Sequence, residues 1–181
     1  MVYMDYHEIK VHGGLLSDCS YDSEHDEKMC ASDLKVINFD DVKTAYLNNR
    51  GFSEEKSKSV DAIACGEKNT VYLIEFKNGN IKHEKENIPI KIRDSVLIIC
   101  DICKCSITDT RKDIVFVLVY NEERSNLPWE TKRMIGTSVL SRRPINYLGL
   151  DKAEGFIVNR ALMLTVKQFE DKILPKCLDF F

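Results

Sequence analysis

Asp61, Glu75 and Lys77 fall within the stretch VDAIACGEKNTVYLIEFKNG, residues 60–79, where two strand-like apolar runs meet at a polar turn. Side chains alternate along a strand, so Glu75 and Lys77 project from one face. Whether Asp61 joins them depends on the register of the hairpin. With a five-residue loop, 66–70, Cys65 opposes Val71, Ile63 opposes Leu73, and Asp61 lands opposite Glu75. A four-residue loop instead sets Asp61 against Ile74 and turns every side chain to the other face. Hairpins use both lengths. In the first register two carboxylates sit side by side, and directly opposed like charges are unfavourable in a sheet. A divalent cation removes that conflict. Two carboxylates, a backbone carbonyl such as that of Phe76, and several waters make the oxygen-rich, part-hydrated shell that Mg2+ prefers. Lys77 is then placed to orient or help deprotonate a water on the ion. Metal and lysine together could stabilise the charge that builds on a phosphate under attack.

A carboxylate on one strand followed by Glu-x-Lys on the next resembles the signature of the PD-(D/E)XK nuclease superfamily. Asp61 stands at its first acid, and Glu75 and Lys77 at its second half. The chain reads VD where the motif has PD, and the proline is dispensable in such families. The resemblance covers about residues 38–121. It implies an α/β, restriction-endonuclease-like core of helix, three strands, helix and strand, with a central mixed sheet flanked by helices. The site would lie on the second and third strands. The implied activity is phosphodiester hydrolysis on nucleic acid, foremost as a DNA endonuclease, with Mg2+ or Mn2+ as cofactor. Asp61, Glu75 and the Phe76 carbonyl would hold the metal, and Lys77 would serve the attacking water. Lys91 and Arg93, near the start of the second helix, are candidates for touching a phosphate backbone, against the plainer reading of a solvated first turn. Asp41, from the first helix, could add a further acid. Small nucleases of this kind often dimerise to cut both strands, so a homodimer is one expectation. The alternative is an inactive module of the same fold that binds nucleic acid or a protein partner. A second rival is an unrelated α/β protein in which Asp61 and Lys77 form a cross-strand salt bridge.

The surrounding pattern supplies the elements that would position these groups. INFDDVKTAYLNNRGF reads as a helix capped by Asp40 or Asp41 and ended by Gly51. Strands follow at about 60–65 and 71–77. The spacing predicts a helix through PIKIRDSVLIICDIC, with Pro89 in its first turn and Ile92, Val96, Ile99 and Cys103 on one side. DIVFVLVYN is an unbroken apolar run, the mark of a strand buried on both faces. Only two of the three sheet strands expected before this second helix are plain. Candidates for the other are SEEKSKSV, 53–60, and HEIKV, 7–11. Beyond residue 121, LPWETKRMIGTSVL suggests a helix and GFIVNRALMLT one or two strands. TVKQFEDKIL suggests a final helix with Thr165 and Gln168 at capping-box spacing.

Composition bounds the rest. The 181 residues are 44% hydrophobic and 30% charged, as expected of one globular domain. No run is long enough to span a bilayer and no secretory signal opens the chain, which points to a cytoplasmic protein. The net charge of −3 counts against a broad basic face. Residues 1–60 carry 12 acids against 7 Lys and Arg, and 61–181 carry 17 against 19. Much of the acidity sits in 17–33, which reads as a solvated loop or an elaboration on the core. Residues 122–181 read as a C-terminal extension. The seven cysteines read as free thiols. Cys100, Cys103 and Cys105 lack the second close pair that a zinc site uses. Lys132–Arg133 and Arg142–Arg143 could grip nucleic acid, though paired surface charges are common. Trp129, beside Pro128, reads as packing, and the four histidines receive no role.

Overall fold

The computed structural model describes residues 7–141 and 144–180. A short helix α1 (His7–Lys10) leads to strand β1 (Gly13–Leu15) and one helical turn, α2 (Leu16–Cys19). A small hairpin of β2 (Tyr21–Asp22) and β3 (Glu27–Lys28) follows, then β4 (Lys35–Asn38) and helix α3 (Phe39–Asn49). The pair β5 (Ala62–Gly66) and β6 (Val71–Lys77) precedes helix α4 (Asn87–Cys103), the short α5 (Ile107–Asp113) and β7 (Ile114–Tyr120). Last come α6 (Trp129–Ser141), α7 (Leu150–Ala153), β8 (Arg160–Thr165), α8 (Val166–Lys172) and β9 (Cys177–Leu178).

Six strands lie side by side in the order β1-β4-β5-β6-β7-β8, and β9 pairs with the turn end of β5. Neighbours from β1 to β6 are antiparallel, while β6, β7 and β8 are parallel. The chain is thus α/β, with a mixed, largely open central sheet flanked by helices. Among the described residues no helix is long and apolar enough to cross a membrane.

The period-2 pattern divides the core into two layers. Ile63, Leu73, Phe116 and Leu118 face α4, whose Ile88, Ile92, Val96 and Ile99 pack down on them. Ala62, Ala64, Ile74, Val117 and Val119 face the other way, towards Phe169 of α8. β7 has β6 on one side and β8 on the other, which accounts for its unbroken apolar run. The capping box expected of the last helix is present, with Thr165 and Gln168 exchanging hydrogen bonds. Helix α3 differs at its start. Asn38 is its cap, accepting from the Asp41 N–H, so Asp40 and Asp41 lie in the first turn, where carboxylates favour the helix dipole.

The third strand is neither of the two expected segments. Residues 7–10 are helical, and 53–60 hold a short 3-10 turn, Glu54–Lys56. The strand is β4, whose Val36 and Ile37 are both buried. It is four residues long and runs directly into the cap of α3, so its apolar letters merge with those of the helix. Hence α3 falls between the first and second of the strands β4, β5 and β6, a departure from the expected order of helix before three strands. The acidic stretch 17–33 is structured as well, holding most of α2 and the β2–β3 hairpin.

Gly66 marks the tightest backbone approach. A Cβ there would meet the Tyr72 ring at 2.5 Å and the Lys176 carbonyl at 3.2 Å. Overpacking a site hemmed by ring and backbone typically costs about 1–3 kcal/mol. Gly66→Ala is therefore expected to lower stability by that amount in urea unfolding, and an unchanged midpoint would show that Tyr72 swings aside freely.

Candidate functional site

The hairpin adopts the five-residue loop. Cys65 pairs with Val71, Ile63 with Leu73 and Ala62 with Ile74, where the ladder ends; Asp61, just before β5, also donates its N–H to the Ile74 carbonyl. The turn chemistry allows this. Lys68 and Asn69 adopt left-handed backbone, and the Gly66 N–H closes on the Thr70 carbonyl at 2.7 Å. Asp61, Glu75 and Lys77 gather at one end of the strands, where Lys91 of α4 reaches both acids and Lys77 reaches Glu75.

Asp61 is fixed through its whole backbone. Its N–H donates to the Ile74 carbonyl and its carbonyl accepts from the Phe39 N–H, each at 3.1 Å. Its carboxylate also accepts from the Phe76 N–H at 2.6 Å. Ser95, buried on α4, holds the preceding residue by accepting from the Val60 N–H at 3.0 Å. Because the Ile74 carbonyl and the Phe76 N–H both point towards Asp61, the Phe76 carbonyl lies on that same edge of β6. Two carboxylates and a carbonyl therefore converge, and this donor set fits an oxygen-preferring divalent cation.

Positive charge already stands among them. Glu75 has no solvent exposure, and Lys91 of α4 puts its ammonium 2.7 and 2.8 Å from the two Glu75 oxygens. The same ammonium is 3.5 Å from Asp61 Oδ1. Lys77 Nζ approaches Glu75 Oε1 at 3.1 Å and Glu84 Oε2 at 3.6 Å. Burial pushes the Asp61 carboxyl well above the usual carboxylate range, and the adjacent Glu75 charge adds to the shift. Lys91 and the Phe76 N–H offset part of it. Burial works against the Lys91 and Lys77 ammoniums, but the neighbouring carboxylates, Glu75 foremost, outweigh it and hold both lysines above their ordinary value.

The site opens on a cleft of about 450 Å3. Asp61, Phe76 and Lys77 line it together with Asp40 and Glu84, and Asp18, Asp22 and Glu24 bring the acidic stretch to it. The acidic stretch is tied to the strand end just past Lys77. Asn78 donates to Asp22 at 2.9 Å and to Glu27 at 2.7 Å, and accepts from Asn121 at 2.8 Å. Arg124 pairs with Glu27 beside it.

The structure brings together Asp61, Glu75, Lys77, the Phe76 backbone and Lys91, and separates Arg93 from them. Lys91 turns inward to the carboxylates, with 18% of its side chain exposed, and does not form a solvated first turn. Arg93 is exposed and contacts only the adjacent Asp94 among the charged groups described. The acid from the first helix is Asp40, not Asp41. Asp40 lines the cleft and accepts from the Ser59 hydroxyl, whereas the next residue lies about 100° further round the helix. Trp129 is 63% exposed, with the Arg133 guanidinium over its ring, and so is not a packing residue. Lys132 donates to the Glu122 carbonyl at 2.9 Å. Arg142 and Arg143 lie outside the described residues. Burial raises the Cys100 and Cys103 thiols to about 12, so both stand as protonated thiols in the metal-free molecule. One exposed grouping escaped sequence reasoning: Asp22, Glu24 and His25 place ligand-type atoms within 4.8 Å of one another. Asp22 is already hydrogen-bonded to both His25 and Asn78.

No protein-family model, no curated protein and no solved structure matches this chain.

Two stability effects follow. Glu75→Gln leaves two ammoniums beside a neutral amide, and breaking a buried pair from one side costs about 3–5 kcal/mol. Lys77 keeps Glu84 as a partner, so a loss near the low end is expected in urea unfolding of metal-free protein. Asp61 acts in the opposite sense. The folded state holds its proton more tightly than the unfolded chain, so a penalty develops as pH rises from the unfolded carboxylate value through the raised folded one. Asp61→Asn removes that penalty. Its urea midpoint should gain on wild type between about pH 4 and about pH 8, above the unfolded carboxylate range. A difference that stays constant would show that Lys91 fully compensates the charge.

Proposed function

We propose that the chain is a divalent-metal-dependent phosphodiesterase acting on nucleic acid, a DNA endonuclease of the PD-(D/E)XK kind. The observation that carries this reading is the gathering of Asp61 and Glu75 around one ammonium, that of Lys91 at 3.5 and 2.7 Å, with Lys77 3.1 Å from the Glu75 carboxylate at the open end of β6. The sheet supports it further. The acid-bearing strands are the second and third of β4, β5 and β6, and a helix followed by a parallel strand comes after them, as the resemblance implies. Against it stands the position of α3 between β4 and β5.

Asp61, Glu75 and the Phe76 carbonyl would hold Mg2+ or Mn2+. Such an ion, when bound, supplies Lewis-acid charge stabilisation and eases the ionisation of water. The remaining work belongs to the chain. Lys77 keeps its proton in the metal-free molecule, so it serves as a donor that orients a water and steadies charge developing on a phosphate. The backbone hydrogen bonds of Asp61 fix its carboxylate before any substrate arrives, which removes reorganisation from the reaction. Gly79 and Asn80 line the cleft, as do Tyr21, Asp22 and Glu24 of the acidic hairpin.

Plasmid cleavage in Mg2+ or Mn2+ tests the reading. Wild type is expected to nick or linearise DNA. Lys77→Ala should lose about 100-fold or more in rate, the scale seen when one preorganised stabilising donor is removed. Glu75→Ala should lose both metal uptake and cleavage. A second reading is favoured by Lys91 and the acidic walls, which already satisfy the carboxylates and repel a polyanion. On that reading the chain is an inactive nuclease-like module, and wild type would take up no metal and cut neither DNA nor RNA.

A further inference from the structure

Two cations approach the carboxylate pair, and they are not equivalent. Lys77 touches Glu75 through one oxygen and divides its charge with Glu84 on the cleft wall. Lys91 contacts both Glu75 oxygens and reaches Asp61 as well. It therefore stands where opposed carboxylates require positive charge. A divalent ion would bind those same oxygens, and an ammonium held against them would repel it.

We infer that Lys91 is an internal counter-cation that fills the metal pocket of the resting molecule, and that a divalent ion enters by displacing it. This rests on the metal-dependent reading of the site. Lys91 sits near the start of α4, at the strand ends, on a flexible four-carbon stem. Asp40, on the cleft side, is within its electrostatic reach. Once displaced, the ammonium moves to the rim of the cleft, where it can meet a phosphate. Metal and polyanion are thereby coupled: the ion neutralises the carboxylates and also releases a cation to the substrate side. Such coupling is reciprocal, so bound polyanion also tightens metal binding. In the metal-free molecule Lys91 is held inward and the cleft presents mainly carboxylates, which repel a phosphodiester chain.

The test is calorimetric titration of Mn2+ into wild type, Lys91→Met, Lys91→Arg and Glu75→Gln, with thermal midpoints measured in parallel. Lys91→Met keeps the stem and removes the charge. If the lysine vacates the pocket in about one molecule in ten, its removal tightens apparent Mn2+ binding about tenfold. Metal-free Lys91→Met should melt lower than wild type and gain more from Mn2+. Lys91→Arg should bind no more tightly than wild type, and Glu75→Gln should not bind. A fluorescent phosphorothioate oligonucleotide should bind wild type more tightly when Mn2+ is present, and Lys91→Met should lose that gain. If Lys91→Met does not fold by circular dichroism, Lys91→Gln carries the same comparison. Equal or weaker Mn2+ binding by the charge-removed variant, with wild type binding normally, overturns the displacement and leaves the metal reading standing. Absence of Mn2+ binding by wild type and variant alike overturns both.

Discussion

A carboxylate without solvent contact must be paired, and Glu75 is paired twice. Its position at 75 follows from the β5–β6 register, since a shift of one residue would send it into the opposite layer, against Phe169. Lys91 reaches it because the apolar stripe of α4 seats that helix over the same face, with Ile88 and Ile92 buried on either side of the lysine in sequence. The ion cluster is thus set by hydrophobic packing on both sides of the contact. The apolar residues decide where the sheet and helix meet, and the charges occupy the gap that remains at the strand ends.

Such a cluster is poorly suited to stability alone. Buried ion pairs often contribute less than well-packed apolar groups of similar volume, because their desolvation offsets their attraction. Asp61 makes the imbalance plain, since its carboxyl is shifted towards the neutral form while its backbone is held at every hydrogen-bonding group. Rigidly framed groups of this kind occur at functional sites and in structural ion-pair networks alike. The acidic hairpin continues the pattern, because it adds carboxylates to the cleft and is itself held by one neutral asparagine, Asn78, and one arginine, Arg124.

The parts of this arrangement legible in the sequence were those governed by local periodicity. The stripe Ile92, Val96, Ile99 and Cys103 identified α4, the run at 114–120 identified the central strand, and Thr165 with Gln168 identified the last cap. The two acids and Lys77 could be placed on one face once a loop length was chosen, but the choice itself lay in the left-handed backbone of Lys68 and Asn69, which composition does not fix. β4 was hidden by its brevity and by sharing its last residue with a helix cap. Lys91 was visible as a residue, but its turn towards the carboxylates was not. Its direction depends on how α4 docks, a tertiary matter that a helical repeat leaves open. The exchange of Asp41 for Asp40 in the cleft has the same cause, for the helix phase relative to the sheet decides which of two adjacent acids faces inward.

The stretch around residues 177–180 bears on how the chain is made. Cys177 and Leu178 pair with the turn end of β5, the Phe180 N–H donates to the Lys35 carbonyl, and Asp179 accepts from the Lys35 N–H at 3.1 Å. The segment therefore stitches together two strands that precede it by more than a hundred residues in sequence. On the ribosome, the acids of β5 and β6 emerge long before this clasp exists, and the nascent sheet keeps unpaired backbone along that stretch until synthesis has passed residue 180. Until residues 177–180 dock, that part of the strand edge stays open to pairing with any other extended segment, so this short stretch guards the sheet against association through its edge.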